Sequence, residues 1–175
     1  MYPPFFSCPD GVVLVSAQPS HHAALADLFE VVFIGEGYAP ASSRERLRNI
    51  AKIAEAGLLL VATGPKGNEV FGAVSCVEIS SPLCEIARYG EAEMRLLAVH
   101  SHYRGQGLGS KLIRACIAHA AKRSLCNSLV LSTQPLMLVA QSLYQREGFK
   151  RVPSQDWTHS NGSERLVFSR PLVAN

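Results

Sequence analysis

The chain has 175 residues, of which 47% are hydrophobic and 18% are charged, a composition that excludes a disordered chain or a coiled coil and predicts one domain over residues 1–175. Its longest aliphatic run, residues 58–62, is far shorter than the roughly 18 residues that span a membrane, and residues 1–6 lack the pattern of a secretory signal. Up to position 100 the chain has seven basic and eleven acidic residues (net −4), and after it ten basic and three acidic (net +7). This asymmetry favours an anionic ligand on the C-terminal half, the alternative being that the basic residues form a solvated helix face.

The order of predicted elements is typical of an α/β protein. In chain order the patterns are a strand at residues 11–17, a helix between 19 and 34, a helix from 42 to 57, strands at 58–63 and 69–79, a loop at 80–90, a strand at 93–99, a helix at 108–124, a strand at 129–132, a helix at 137–147 and a last strand at 166–168. Ser42 and Glu45 predict a capping box for the second helix, whose buried face carries Leu47, Ile50, Ala51 and Ala54. The alternation of strands and helices indicates a single α/β layer architecture.

Cysteine and histidine spacing indicates neither disulfides nor a metal site. The cysteines lack any CxxC pair and are expected to be reduced thiols; they are Cys8, Cys76, Cys84, Cys116 and Cys126. Cys116 and His119 lie one helical turn apart, but no second ligand pair follows at zinc spacing. We therefore expect no metal, and a cytoplasmic location without membrane partners.

A glycine-rich segment, residues 100–110, leaves one strand and opens the next helix. Backbone N–H groups at such a helix N-terminus bind phosphates, and glycines let the backbone approach the anion closely. The spacing of Gly105, Gly107 and Gly109 fits neither the G-x-G-x-x-G dinucleotide fingerprint nor the Walker loop. The basic residues of the helix are not interleaved with aromatic ones, so a phosphorylated small molecule is favoured over nucleic acid.

The residues around this loop resemble the GNAT superfamily of N-acetyltransferases. The similarity lies in two motifs, Leu97-Ala98-Val99 followed by Arg104-x-x-Gly107-x-Gly109, and Leu131-Ser132-Thr133 followed by Ala140 and Leu143-Tyr144-x-x-x-Gly148-Phe149. It is specific over residues 93–149, whereas the first 90 residues fit only in their order of elements. The resemblance implies a mixed twisted sheet with helices on both faces and a splayed central strand pair. It also implies acetyl-CoA as co-substrate, bound by Leu97, Ala98, Val99, Arg104, Gly105, Gln106, Gly107, Leu108, Gly109 and Ser110.

Adjacent leucines, Leu96 and Leu97, interrupt the alternation of the strand at 93–99. They predict a β-bulge that puts two successive side chains on one face, the alternative being a strand buried on both faces. The resemblance implies that this strand parts from the one at 129–132, that pantetheine enters the gap and bonds to Leu97 and Val99, and that an amide near Leu97 polarises the thioester carbonyl.

Two side chains match catalytic positions of the family. Tyr144 matches the tyrosine that protonates the departing thiolate, although a tyrosine on an apolar helix face is also a common packing residue. Glu93 matches a carboxylate that takes the proton of the amine, commonly through water. A solvated Glu93 is the competing interpretation, with Glu91 or solvent as the base. Gln134 is the only side-chain amide available to contact pantetheine in its segment, and that contact is not assigned.

The resemblance therefore implies transfer of an acetyl group from acetyl-CoA to a primary amine by direct attack in a ternary complex. A non-enzymatic acyl-CoA-binding or regulatory module on the same fold is the alternative. The acceptor stays open between a small-molecule amine and a peptide amine, although the acidic first half suits a cationic one. A homodimer also stays open.

Overall fold

A mixed eight-stranded sheet organises the chain. The computed structural model describes residues 11–172, except Asn68 and Ser124; Cys8 and residues 1–6 lie outside the described residues, so one domain over residues 1–175 stays a prediction. The strands are β1 (Val13–Ser16), β2 (Leu58–Thr63), β3 (Val70–Glu78), β4 (Glu91–Val99), β5 (Ser128–Thr133), β6 (Lys150–Arg151), β7 (Trp157–Thr158) and β8 (Glu164–Pro171). The helices are α1 (His22–Phe29, continued by a π-helix at Glu30–Gly35), α2 (Arg44–Arg48), α3 (Ile50–Glu55), α4 (Leu108–Ala121) and α5 (Leu138–Arg146).

The strand order places one parallel pair at the centre of the sheet. The order is β1-β2-β3-β4-β5-β8-β6, with β7 paired to β8 at the side. β4 and β5 run parallel, and every other pair is antiparallel. A parallel pair needs a crossover connection, and α4 supplies it between β4 and β5.

Two hydrophobic clusters cover the two faces of the sheet. On one face α4 and α5 pack on the strands through side chains such as Leu112, Cys116 and Tyr144. On the other face the apolar sides of α1, α2 and α3 pack on β2, β3 and β4 around Phe29 and Ile50. Helices on both faces of a mixed sheet confirm the predicted fold class.

The predicted second helix is two short helices. Asn49, with φ of −81° and ψ of 68°, leaves the helical region between α2 and α3. The capping box predicted from Ser42 and Glu45 is wrong, because α2 begins after Ser43 without a side-chain cap. Ala51, expected inside, is exposed, since the break at Asn49 turns Ile53 towards the core instead.

Candidate active site

β4 carries a β-bulge at residues 96–97. One residue of β3, Val74, lies opposite both Leu96 and Leu97, and Leu96 has a φ of 52°, in the left-handed region that non-glycine residues rarely adopt. The predicted bulge is therefore confirmed. The expectation that its successive side chains share a face is wrong for the leucines, because Leu97 packs on the α4 face and Leu96 on the α1–α3 face.

Beyond the start of β4, the central parallel pair separates. Its last register partners are Glu93 and Val130, although β4 continues to Val99 and β5 to Thr133. The later residues of β4 still pair with β3 on their other side. The splayed pair expected from the resemblance is thus confirmed, and it leaves a gap through the middle of the sheet.

A cavity of about 140 Å³ lies at this gap and contains both predicted catalytic side chains. Tyr144 comes from α5, Glu93 and Leu97 come from β4, and Thr133 comes from the end of β5. Phe33, Tyr38 and Leu47 line it from the α1–α2 side. Of the described residues, none between 100 and 110 lines this cavity, so it is separate from the glycine loop.

Tyr144 is buried, with 6% of its surface exposed. Its ring lies 6.1 Å from that of Phe149 and 6.0 Å from that of Phe168, which fixes the phenol in an apolar setting. Burial raises the pKa of Tyr144 well above its ordinary value, and within the described chain no hydrogen bond to the hydroxyl opposes that shift. The phenol is therefore protonated at neutral pH and can donate a proton into the cavity.

Glu93 is 1% exposed, and its carboxylate anchors the loop before β4. Its Oε2 accepts N–H bonds from Glu85 at 2.8 Å, Ile86 at 2.9 Å and Ala87 at 3.4 Å. Its Oε1 lies 3.5 Å from a guanidinium nitrogen of Arg95. With Oε2 occupied by amides, Oε1 is the oxygen left to accept a further proton or water.

The other two polar candidates occupy different positions. Glu91 does not line the cavity among the described residues; its Oε2 accepts the N–H of Arg88 at 2.9 Å, and the Ser128 hydroxyl lies 3.4 Å from its Oε1. Gln134 does line the cavity, but its side-chain amide donates to the carbonyl of Tyr38 at 2.5 Å. Glu91 thus lies outside the lining of the cavity that contains Tyr144. Gln134 connects the end of β5 to the segment between α1 and α2.

The glycine loop presents unused backbone donors. Within the described residues, the N–H groups of residues 105–110 donate to no protein acceptor. Gly107, with φ of 79°, turns the chain into α4, where Leu108, Gly109 and Ser110 form the first turn. A Cβ on Gly109 would lie 2.9 Å from Leu143, so glycine here also lets α4 approach α5. Free amides at the start of a 14-residue helix suit a phosphate group.

Arg104, predicted to bind the cofactor, holds the loop to the α1 side. Its Nη2 lies 2.6 Å from Oε1 of Glu36, and its Nε donates to the carbonyl of Val99 at 2.9 Å. The guanidinium is therefore already engaged by Glu36 and Val99. The donors that remain for a phosphate are backbone groups of Gly105, Gln106 and the residues after them.

Sequence reasoning missed a group of arginines at the same cavity. Arg46 of α2, Arg95 of β4 and Arg165 of β8 all line it. They are far apart in the chain, and no sequence spacing links them. In the described part of the chain, no three His, Cys, Asp or Glu side chains lie together as a group that could hold a metal ion.

Comparison with known proteins agrees with this geometry. Residues 22–149 match the model of the Acetyltransferase (GNAT) family, and the chain belongs to that family. It also shares its fold with the solved NatC complex bound to Gag peptide and CoA, with a TM-score of 0.68 and 20% identity over 93% of this chain and 99% of that one. No helix in the described ranges is both long and apolar enough to pass through a bilayer.

Two curated relatives are similar over a shorter segment. A stretch of 69 residues, 39% of this chain, is 40% identical to 43% of the probable spermine N(1)-acetyltransferase of Bacillus subtilis subsp. natto (strain BEST195). A stretch of 67 residues, 38% of this chain, is 36% identical to 23% of the N-acetylaspartate synthetase of Danio rerio. The matches span less than half the length of these relatives.

Proposed function

We propose that the chain transfers the acetyl group of acetyl-CoA to a primary amine by direct attack in a ternary complex. The observation that carries this proposal is the gap between β4 and β5, which opens onto a cavity holding both Tyr144 and Glu93. Membership of the GNAT family and the CoA in the structurally similar NatC complex support acetyl-CoA as the donor. The relatives' names contain a polyamine and an acetylated amino acid, so both support an amine acceptor.

Acetyl-CoA would be held at two places. The N–H groups of residues 105–110 would bind its pyrophosphate, because they have no acceptor within the described chain and stand at the start of α4. The pantetheine arm would lie in the gap along Leu97, Ala98 and Val99, whose β5 side is unpaired beyond Glu93. The thioester would then reach the cavity beside Tyr144.

In the transfer step the amine nitrogen attacks the thioester carbonyl carbon. A C–N bond forms, the C–S bond breaks, and the Tyr144 hydroxyl donates its proton to the departing sulfur. The neutral amine loses one proton, which passes through water to Oε1 of Glu93. From Glu93 the same proton returns through water to the Tyr144 phenolate, so that both side chains end as they began. An amide near Leu97 stabilises the negative charge that develops on the carbonyl oxygen. The products are an N-acetylated amine and free coenzyme A thiol.

The test is release of free thiol from acetyl-CoA, measured with and without each member of an amine panel. Amine-dependent release, with the acetylated amine identified by mass spectrometry, is the expected result. Acetyl-CoA binding by calorimetry without thiol release from any amine would instead support the non-enzymatic acyl-CoA-binding module. Gly107→Val is the control for acetyl-CoA binding at the glycine loop. The rate at which this variant releases thiol should fall together with its affinity for acetyl-CoA.

A further inference from the structure

Positive charge is in excess among the charged side chains that line the cavity. Arg46, Arg95 and Arg165 line it, against the carboxylates of Glu85 and Glu93. Both carboxylates are already engaged by Arg95, with Glu85 at 2.7 Å and Glu93 at 3.5 Å. Arg95 also donates to the carbonyl of Leu83, so it is held inside the protein and is not free to bind a ligand.

Arg46 and Arg165, the other two arginines of the cavity, have no carboxylate partner among the described residues. Within the described residues neither guanidinium lies within 4.0 Å of a carboxylate, whereas other basic side chains form nine ion pairs. Arg46 is exposed at the rim of the cavity, and Arg165 is partly buried in it. The only hydrogen bond that the Arg165 side chain makes in the described chain is a long one, 3.4 Å, to the carbonyl of Glu164.

The setting of Arg165 is unfavourable without an anion. Desolvation is the largest cause that lowers its pKa, and repulsion by Arg95 and Arg46 adds to it, while Glu85 acts in the opposite direction. A charged group that is partly removed from water is costly unless a counter-charge joins it. A ligand anion between Arg165 and Arg46 would supply that counter-charge.

This anion is not the pyrophosphate of the donor. The phosphate donors are the amides of residues 105–110, and of the described residues none of these lines the cavity. The cavity also receives Phe33 and Leu47 from the face of the sheet opposite α4. The two arginines therefore line the same cavity as Tyr144 and lie apart from the glycine loop, which leaves them available to an acceptor.

We propose that the acceptor is a small primary amine that also carries an anionic group, a carboxylate or a phosphate, and that Arg165 and Arg46 hold this group. This inference rests on the proposed function and names its acceptor class. It differs from the cationic amine that the acidic first half of the chain suggested, because the charges that decide acceptor binding are the unpaired ones at the cavity. A polyamine would add positive charge beside two unpaired guanidinium groups.

The first experiment compares acceptors by thiol release. L-glutamate, L-aspartate, glycine, phosphoethanolamine, n-butylamine and spermine are tested at saturating acetyl-CoA. We expect the anionic amines to have at least tenfold higher kcat/KM than n-butylamine or spermine, and the better of the carboxylate and phosphate arms identifies the anionic group. Higher kcat/KM for spermine or n-butylamine than for all anionic amines would overturn this inference while leaving the proposed function intact.

The second experiment tests the arginines. Arg165→Gln should raise KM for the preferred anionic amine about 10- to 100-fold, as expected for loss of a charge-assisted hydrogen bond, and should change KM for n-butylamine, which has no anionic group, much less. Arg165→Lys should recover part of the loss. The matched control is Arg146→Gln, which removes one positive charge from an exposed position of α5 outside the cavity lining. Equal effects of the Arg165 and Arg146 variants would contradict the proposal.

A third measurement does not depend on turnover. Calorimetry of L-glutamate and of phosphoethanolamine binding to protein saturated with CoA should show, for the one that binds more tightly, at least tenfold weaker binding in Arg165→Gln. Arg46→Gln, at an exposed position, provides a second variant that is expected to fold and should lose several-fold affinity. If no amine releases thiol, the proposed function fails, and this binding result still decides whether the arginines hold an anion. Unchanged affinity in both variants would overturn the inference.

Discussion

Replacement of Tyr144 by Phe separates proton donation from packing. Within the described chain the hydroxyl forms no hydrogen bond, and the ring packs against Phe149 and Phe168. Loss of the hydroxyl therefore removes no protein contact, and the free energy of unfolding should change by less than about 0.5 kcal/mol. A change of that size corresponds to a shift in Tm of at most about 2 °C.

The same substitution should lower turnover by about 10²-fold, the low end of what a positioned general acid contributes. That factor corresponds to roughly 2.7 kcal/mol of transition-state free energy. The assay is thiol release under chemistry-limited conditions with the best acceptor of the panel, and calorimetry measures acetyl-CoA affinity in parallel. Turnover equal to that of the parent would show that Tyr144 is a packing residue. Weaker acetyl-CoA binding with the same loss of rate would show that the hydroxyl positions the thioester instead.

Three further predictions concern the loop, the carboxylate and pH. Gly107→Val should cost about 1 to 2 kcal/mol of stability and at least tenfold in acetyl-CoA affinity, whereas Gly162→Val, at a similar φ of 82° with open space around it, should lose stability alone. Glu93→Gln keeps a carbonyl oxygen for the three loop amides, so the variant should stay folded and should have a lower kcat, most of all at acid pH. An unchanged dependence of kcat on pH would exclude Glu93 as the base. Glu93→Ala, which removes that oxygen, should lower Tm as well as kcat. Because burial raises the pKa of Tyr144, the rate should rise with pH as the amine deprotonates and should not fall again below about pH 10; a falling limb near pH 9 would contradict a buried phenol donor.

The sequence predicts most of the elements that build the site, because their signals are local. Residue spacing predicts the end of β4, the glycine loop after it, and a shared face of α5 for Ala140, Leu143 and Tyr144. In the structure these three side chains do pack on the same hydrophobic cluster. The break at Asn49 does not follow, since it depends on how α2 and α3 fit against the sheet. Local patterns predict periodicity well, whereas tertiary packing decides where a helix is interrupted.

Contacts between distant segments could not be predicted. Arg165 meets Arg46 and Arg95 only after β8 has been placed in the sheet beside β5. Likewise the motif suggested that Arg104 binds the cofactor, but its ion pair with Glu36 joins residues that no pattern connects. Net charge by halves does not show which charges are unpaired at the cavity, because many acidic side chains of the first half pair with arginines or accept bonds from loop amides.

The bulge in β4 accounts for both the gap and the arrangement of side chains around it. Before the bulge, Met94 faces the α4 cluster; after it, Leu97 and Val99 face that cluster and Ala98 faces the opposite one. With Leu96 removed, the strand would read Met94, Arg95, Leu97, Ala98, Val99. Successive side chains would then alternate regularly between the two faces of the sheet. Leu96 is therefore the extra residue, and its left-handed φ of 52° bends β4 away from β5.

Deletion of Leu96 should accordingly straighten β4 without moving its other side chains to new faces, and it should extend the parallel pairing beyond Val130. We expect a folded protein whose acetyl-CoA affinity is at least tenfold lower, because pairing with β5 fills the gap that pantetheine would enter. Leu96→Gly is the matched control: it removes the same side chain, relieves the left-handed φ and keeps the extra residue, so it should retain binding. Calorimetry with acetyl-CoA, with a circular dichroism melt to verify folding, makes the comparison. Undiminished affinity in the deletion variant would mean that the bulge is not what keeps β4 and β5 apart.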